Sequence, residues 1–213
     1  MELVDKLSNR QYIDGEWVES SNKNTRDIIN PYNQETIFTV AEGTKEDVER
    51  AILAARRSFE DGEWSLETSE VRGKKVRAVA DKIKKNREEL AKLETLDTGK
   101  TLEESYADMD DIHNVFMYFA GLADKDGGEM INSPIPNTES KIVKEPVGVV
   151  TQITPWNYPL LQASWKIAPA LATGCSLVMK PSEITPLTTI RVFELMEEVG
   201  FPKGTINLVL GAG

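Results

Sequence analysis

Asn157 carries a side-chain amide just after a predicted β-strand, in the segment Thr154-Pro155-Trp156-Asn157-Tyr158. The preceding residues 147–153 are rich in β-branched side chains, which indicates a buried strand, and Pro159 suits the first turn of a following helix. A carboxamide N–H at the carboxyl end of a strand can donate to an oxygen on which negative charge develops during a reaction. A loop Asn can also cap its own turn, so these residues leave both interpretations open.

Two further segments with polar or glycine residues follow predicted strands. Lys180-Pro181-Ser182-Glu183 ends the second strand, and its ammonium and carboxylate could hold an adenosine ribose from two sides, as a dinucleotide site requires. Glu183 would repel a 2′-phosphate and therefore favours NAD over NADP. The alternative is a turn in which Ser182 serves as an N-cap. Gly211-Ala212-Gly213 is the G-x-G start of a Gly-rich turn, and both of its glycines are candidate cofactor contacts.

The elements that position these residues alternate between strand and helix. The pattern predicts strands at residues 147–153, 176–180 and 206–210, with helices at 160–172 and 186–199 between them. This order is typical of an α/β fold with a doubly wound, Rossmann-like parallel sheet that binds a dinucleotide. Ligands of such sheets lie at the carboxyl ends of the strands, where Asn157, Lys180, Glu183 and Gly211 all fall.

The first 128 residues have a different pattern. Short strands with a hairpin signal at Asp14-Gly15 are followed by a helix after Thr44, by one long amphipathic segment at 69–96 that Gly99 stops, and by a helix at 102–122. We therefore predict strands and helices of the cofactor-binding domain at 1–128, a protruding β-hairpin at 129–146, and an incomplete βαβαβ unit at 147–213. The hairpin needs a covering surface, which another subunit or its own domain could provide.

Composition limits the possible partners. The chain has 213 residues and a net charge of −10, and the whole excess lies in residues 1–146, because 147–213 hold four basic and four acidic residues. Such an acidic chain is not expected to bind nucleic acid or an anionic membrane. The single cysteine, Cys175, excludes an internal disulfide, and no apolar run approaches the roughly 20 residues of a membrane span. These features predict a soluble, cytoplasmic protein.

Several motifs together resemble the NAD(P)-dependent aldehyde dehydrogenase superfamily. In the second half of the chain these are Thr154-Pro155-Trp156-Asn157, Trp165-Lys166-Ile167-Ala168-Pro169-Ala170-Leu171-Ala172-Thr173-Gly174, Lys180-Pro181-Ser182-Glu183 and Gly200-Phe201-Pro202-Lys203-Gly204. The first half adds Tyr12-Ile13-Asp14-Gly15-Glu16-Trp17, Ile29-Asn30-Pro31 and Leu96-Asp97-Thr98-Gly99-Lys100. The resemblance covers the chain from about residue 10, and within the family it looks closest to the betaine-aldehyde branch.

The resemblance implies roles for the strand-end residues. Asn157 would donate to the alkoxide of a thiohemiacetal, and Lys180 and Glu183 would hold the adenosine ribose of NAD. Lys166 matches a lysine near the reaction centre and is a proton-relay candidate, with a helix-surface lysine as the alternative. The path of the cofactor would be lined by Ile153, Thr154, Pro155 and Trp156, with Pro181 and Ser182 beside the ribose. The hairpin would join subunits of a homo-oligomer, a dimer or a tetramer.

A structural cation and a substrate box are also implied by the resemblance. Related enzymes hold an alkali cation at positions that correspond to Ile28, Ile29, Asp97 and Ile184, and three carbonyls with one carboxylate suit K⁺. Tyr158 and Trp165 match aromatic positions that surround trimethylammonium in the betaine-aldehyde branch. Ring faces suit a cation that cannot form hydrogen bonds, although ordinary helix packing is the alternative for both residues.

The catalytic cysteine and the general-base glutamate of that family have no counterpart in this chain. Cys175 precedes a predicted strand, which is the setting of a small buried hydrophobe. We therefore predict that the chain supplies oxyanion and ribose contacts to a longer enzyme that oxidises an aldehyde, betaine aldehyde to glycine betaine, with NAD through a cysteine thiohemiacetal. Alone it should be inactive, because it carries one catalytic donor and no nucleophile, and destabilised, because the third strand lacks a covering helix. The alternatives are another aldehyde or semialdehyde substrate, or a non-catalytic truncated binding or assembly module.

Overall fold

The computed structural model describes residues 3–125 and 127–213. The strands within these ranges are β1 Gln11–Ile13, β2 Glu16–Val18, β3 Thr25–Ile29, β4 Thr36–Ala41, β5 Glu129–Ile131, β6 Ser140–Ile142, β7 Val149–Ile153, β8 Ser176–Lys180 and β9 Ile206–Leu208. The helices are α1 Lys45–Glu60, α2 Ser69–Lys85, α3 Arg87–Thr98, α4 Leu102–Leu122, α5 Pro159–Thr173 and α6 Leu187–Val199.

Local sequence signals explain where most of these elements begin and end. Asp14 and Gly15 both have positive φ, 56° and 80°, and form the two-residue turn of the predicted β1–β2 hairpin. Thr44 and Asp47 form a capping box at the start of α1. Gly99 ends α3 in the left-handed conformation with φ 77°, as the sequence predicts.

The prediction of one continuous amphipathic segment at 69–96 is wrong, because the structure divides this segment into α2 and α3. The break lies at Asn86, whose φ of −102° and ψ of 18° leave the helical region. The backbone N–H of Asn86 still donates to Lys82 and Ile83, while its carbonyl accepts from Leu90 at the start of α3. Apolar spacing alone could not show this corner, since buried residues recur on both sides of it.

One five-stranded sheet organises the fold in the order β2-β1-β9-β8-β7. Strands β7, β8 and β9 are parallel, which confirms the predicted α/β fold with a parallel sheet. The sheet is nevertheless mixed, because β1 pairs antiparallel with β9, with Tyr12 opposite Leu208. The amino-terminal hairpin therefore extends the sheet that residues 149–208 build, while the boundaries of the three predicted segments stay a prediction.

Helices cover both faces of this sheet. Helix α1 packs on one face over a small core of Ala51, Ala54, Ala55, Val178 and Val209. Helix α5 packs on β7 and β8 from the other face, and Phe193 of α6 contacts Tyr12 of β1; α2, α3 and α4 form a further layer against α5 and α6. The large core lies between these layers and includes the fully buried Phe116, Phe193, Ile83, Leu90 and Ile167. Cys175 is also buried there, as predicted.

The strands β5 and β6 form a separate two-stranded sheet that projects from the body. Its apolar side chains are exposed, with Met130 61%, Ile131 49% and Ile142 44% accessible. These side chains therefore do not pack against their own domain, which was one of the two predicted alternatives. Within the described ranges, no helix combines the length and the apolarity that a bilayer span requires.

Candidate active site

The turn between β7 and α5 is fastened to the segment that follows β8. The N–H of Thr154 donates to the carbonyl of Lys180 at 3.3 Å, and the hydroxyl of Thr185 donates to the carbonyl of Trp156 at 3.1 Å. Pro159 is the first residue of α5, where its fixed φ favours the helix and its missing N–H costs nothing. The two carboxyl strand ends are thereby held side by side, as the sequence predicts for a parallel sheet.

Asn157 stands on this turn with its carboxamide exposed. The N-cap of α5 is Tyr158, and no side chain caps that helix. The interpretation of Asn157 as a residue that caps its own turn is therefore wrong. Among the residues that the structure describes, the carboxamide has no hydrogen-bond partner, so its N–H groups are available to a ligand oxygen.

Lys180 connects the end of β8 to the Gly-rich turn. Its ammonium donates to the carbonyl of Pro181 at 3.1 Å and to the carbonyl of Gly211 at 2.9 Å. An ammonium carries three donors, so one N–H remains for a ribose hydroxyl. Ser182 does not cap α6, whose N-cap is Pro186; its hydroxyl instead accepts from the N–H of Ile184 at 3.5 Å.

The first half of the chain positions the Gly-rich turn. The N–H of Ala212 donates to Glu42 at 3.2 Å, and the N–H of Gly43 donates to the carbonyl of Leu210 at 2.8 Å. Arg26 pairs with Glu42 through two hydrogen bonds of 2.5 and 2.7 Å, and this pairing lowers the pKa of the Glu42 carboxyl. Gly211 has a φ of 128°, which a residue with a side chain rarely adopts.

The remaining predicted cofactor residues surround these contacts. Glu183 is half-buried; the pKa of the Arg26 guanidinium is raised first by its hydrogen bond to Glu42, and the charge of Glu183 adds to this effect. Thr154 is buried and its hydroxyl has no partner among the described residues. Ile153, Pro155, Trp156 and Gly213 are exposed, and Pro181 and Ser182 are buried. Lys180 and Glu183 are therefore the charged groups available to a ribose.

Tyr158 and Trp165 lie on one side of α5 and are half exposed, at 45% and 50%. Ordinary core packing does not describe them. Trp165 and Leu161 of α5 face Tyr118 and Phe119 of α4 across an open cleft of about 430 Å³. The rings of Tyr158 and Trp165, which follow Asn157 in the sequence, therefore remain accessible.

Lys166 points along its own helix. Its half-buried ammonium donates to the carbonyl of Gln162 at 3.2 Å and to the side-chain oxygen of Gln162 at 3.3 Å. Its backbone carbonyl accepts from Gln152 of β7 at 2.9 Å. The residue is thus neither a freely solvated surface lysine nor in contact with Asn157, and its proposed proton transfer would require a different rotamer.

Asp97 is the one predicted cation ligand with a side-chain oxygen. The carboxyl is buried, and its Oδ2 accepts from the N–H of Leu187 at 2.8 Å, while Oδ1 has no partner among the described residues. Burial raises the pKa of Asp97 well above its usual range. Gly99, two residues after Asp97, lies against Pro31, which follows β3; Ile28 is buried. Ile184 is half exposed.

These residues fit a monovalent cation. An orphaned buried carboxylate oxygen is a ligand without a partner, and a positive ion beside it would offset the desolvation of the charge. Asp97 and the carbonyls of Ile28, Ile29 and Ile184 would hold the ion. Within the described residues, no cluster of three or more His, Cys, Asp or Glu side chains is placed to hold a metal ion.

A scan against protein-family models matches residues 17–213 to the aldehyde dehydrogenase family. The chain belongs to this family. It is 67% identical to betaine aldehyde dehydrogenase of Bacillus subtilis over 97% of its own length, and 46% identical to aminoaldehyde dehydrogenase 1 of Pisum sativum, also over 97%. It spans 42% of the length of each of these relatives.

A solved aldehyde dehydrogenase shares the fold closely. Betaine aldehyde dehydrogenase of Staphylococcus aureus, in complex with NAD⁺, superimposes with a TM-score of 0.99 and 90% sequence identity. The match covers 100% of this chain and 42% of that one.

Asp111 is a charged residue beside this cleft that the sequence interpretation missed. Asp111 of α4 lines the cleft opposite Trp165, and its carboxylate is exposed and unpaired within the described ranges. Asp111, Asn114, Val115 and Tyr118 follow helical spacing, which places them on one face of α4. The sequence contains that spacing, but its apolar pattern shows only which face of α4 packs in the core and not what the opposite face binds.

The stability of this aldehyde dehydrogenase chain should depend on pH through Glu94. Burial raises the pKa of Glu94 from 4.5 to about 7, although Thr188 donates to it at 2.7 Å. The folded chain thus binds this proton more tightly than the unfolded chain, so the stabilisation is complete below pH 4.5 and is lost as the pH rises through about 7. In urea unfolding, the stability of Glu94→Gln relative to the wild type should increase as the pH is raised from 4 to 8. A difference in stability that does not depend on pH would contradict this prediction.

Proposed function

We propose that this chain belongs to an enzyme that oxidises betaine aldehyde to glycine betaine with NAD. The observation that carries the proposal is the cleft in which Trp165, Tyr118 and Phe119 accompany the unpaired carboxylate of Asp111. A trimethylammonium group forms no hydrogen bonds and is stabilised by ring faces and by a nearby negative charge. The names of the B. subtilis and S. aureus relatives support this substrate.

The residues of this chain would act on the aldehyde from one side. Asn157 would donate to the oxygen that becomes an alkoxide when a cysteine thiolate, supplied from outside residues 1–213, adds to the carbonyl carbon. When bound, NAD supplies the acceptor for the hydride that leaves that carbon, and water then releases the acid from the thioester. Lys180 and Glu183 would hold the adenosine ribose, and Lys166 would pass a proton.

The projecting hairpin supports a homo-oligomer. Apolar side chains are exposed on both faces of the hairpin, Ile131 and Ile142 on one and Met130 and Val143 on the other, and a two-stranded sheet is too small to be stable without a cover. We propose that another subunit of a dimer or tetramer covers it. The cation at Asp97 would be K⁺, since carbonyl and carboxylate oxygens are the ligands on offer.

An aminoaldehyde is a second candidate substrate. The P. sativum relative carries that name, and the carboxylate of Asp111 can accept hydrogen bonds from a primary ammonium group. Trimethylammonium cannot donate such bonds. Asp111→Asn should therefore weaken the binding of an aminoaldehyde more than that of betaine aldehyde, because only the aminoaldehyde loses charged hydrogen bonds as well as the attraction of the charge.

The decisive experiment compares betaine aldehyde with its neutral isostere 3,3-dimethylbutanal in the full-length enzyme that carries this chain. Trp165→Ala should lower kcat/KM for betaine aldehyde about tenfold more than for the isostere, because a cation above an aromatic face gains on the order of 1–2 kcal/mol. Trp165→Phe keeps a ring and should retain most of the discrimination. Equal losses for both aldehydes would contradict recognition of the quaternary cation.

A further inference from the structure

Lys100 holds an ammonium group beneath the ring of Tyr158. Its side chain is only 12% exposed. The Nζ atom lies 2.5 Å from Oδ2 of Asp108, 3.6 Å from Oε1 of Glu94 and 4.3 Å from the centroid of the Tyr158 ring. A lysine so enclosed between two carboxylates and a ring has few alternative rotamers.

The surrounding elements explain why the ammonium stays in this place. Gly99 turns the chain out of α3 in the left-handed conformation, and Thr101 caps α4 two residues later. Lys100 therefore occupies the short connection between helices, with Glu94 on one helix and Asp108 on the other. Both carboxylates come from the layer of α3 and α4, whereas Tyr158 belongs to the strand-end turn.

We propose that Lys100 is a positioning residue for the aldehyde, acting through the ring of Tyr158, which is the neighbour of Asn157. The inference rests on the proposed function, because it assigns the free side of that ring to the substrate. The ring is 45% exposed although the ammonium lies over one of its faces, so the exposed part is available to a ligand.

Lys100 affects the substrate by orienting the Tyr158 ring, because its charge is largely offset by Asp108. A cationic substrate beyond the ring would be repelled by Lys100, but Asp108 forms a close pair with that ammonium and offsets most of its field. The contact between cation and ring persists and restricts the ring to one position. A purely structural lysine would need only the two carboxylates and would have no effect that depends on Tyr158.

A double-mutant cycle in the full-length enzyme tests this dependence. Lys100→Met alone should raise the KM for betaine aldehyde about fivefold and leave kcat within about twofold, as expected for loss of a contact of this kind. In a Tyr158→Ala background the same substitution should leave KM unchanged, because the residue through which it acts is gone. Lys100→Arg should retain the wild-type KM, since guanidinium groups also stack on rings and pair with carboxylates.

Control variants separate this role from folding. Lys92→Met removes an exposed lysine that pairs with Glu88 on the same helix and should leave the KM unchanged. If Lys100→Met does not fold, Asp108→Asn replaces it in the cycle, because it releases the ammonium without changing the volume of the side chain. If Lys100→Met and Tyr158→Ala have additive effects on KM, the positioning role is overturned, while the proposed function stands. Absence of aldehyde oxidation by the unsubstituted enzyme would refute the proposed function and this inference with it.

Discussion

Replacing Asn157 by Ala is expected to lower kcat for aldehyde oxidation by about 10²–10³-fold in the full-length enzyme, the loss typical of an oxyanion-hole donor. The carboxamide stands exposed on the turn between β7 and α5 and lacks a partner within the described residues, so its donors are not committed to the fold. Negative charge appears on the substrate oxygen only after nucleophilic attack, which means that the interaction strengthens in the transition state. The KM for NAD should stay unchanged.

Stability measurements distinguish this effect from damage to the fold. Because the Asn157 side chain makes no hydrogen bond to the described residues, its removal should change the free energy of unfolding by less than about 0.5 kcal/mol. Asn33→Ala removes another exposed carboxamide, on the β3–β4 turn, and is a control that should leave kcat unchanged. A loss of kcat below about fivefold for Asn157→Ala would show that the carboxamide is not an oxyanion donor.

Gly43→Ala is expected to destabilise the chain by about 3 kcal/mol and to weaken NAD binding about tenfold, in the range of overpacked core positions and misplaced site residues. A Cβ at this position would lie 2.3 Å from the carbonyl oxygen of Leu210 and 2.5 Å from Oε1 of Gln11. Leu210 follows β9 and Gln11 belongs to β1, and the two are joined because the Gln11 side chain accepts from the N–H of Leu210. The Gly-rich turn must therefore move.

Gly121→Ala provides the matched control, because a Cβ there meets no atom within 4 Å among the described residues and the position lies in α4. It should stabilise the chain by up to about 1 kcal/mol through helix propensity. Urea unfolding and a fluorescence titration of NAD affinity measure both variants in the full-length enzyme. Equal stabilities of the two variants would contradict the close approach of Gly43 to β9.

Much of the fold is predictable from local patterns. The β-branched runs, the Asp14-Gly15 turn, the Thr44 cap and the Gly99 stop each act within a few residues, and the structure confirms the elements that they predict. The corner at Asn86 was not predictable, because the apolar spacing continues through it. The pairing of β1 with β9 joins residues almost 200 positions apart, and short strands of this kind carry no mark of their partner.

The candidate site divides in the same way. Asn157, Lys180 and Glu183 could be placed at strand ends because carboxyl ends of parallel strands meet at one edge of a sheet. Asp111, Glu42 and Lys100 were missed as site residues. Each reaches the site from an element distant in sequence, and periodicity says only which face of a helix is apolar.

The sequence by itself determined the alternation of strands and helices and the position of an amide at the end of β7, because these depend on spacing, caps and turns over a few residues. Only the tertiary structure decided that Asn157 is free rather than capping its turn, that Glu42 holds the Gly-rich turn and that Lys100 lies beneath Tyr158. Such contacts depend on how packed layers bring distant side chains together. The direction of the pKa shift of Glu94 has the same origin, since burial is a property of the packed layers and not of the residue.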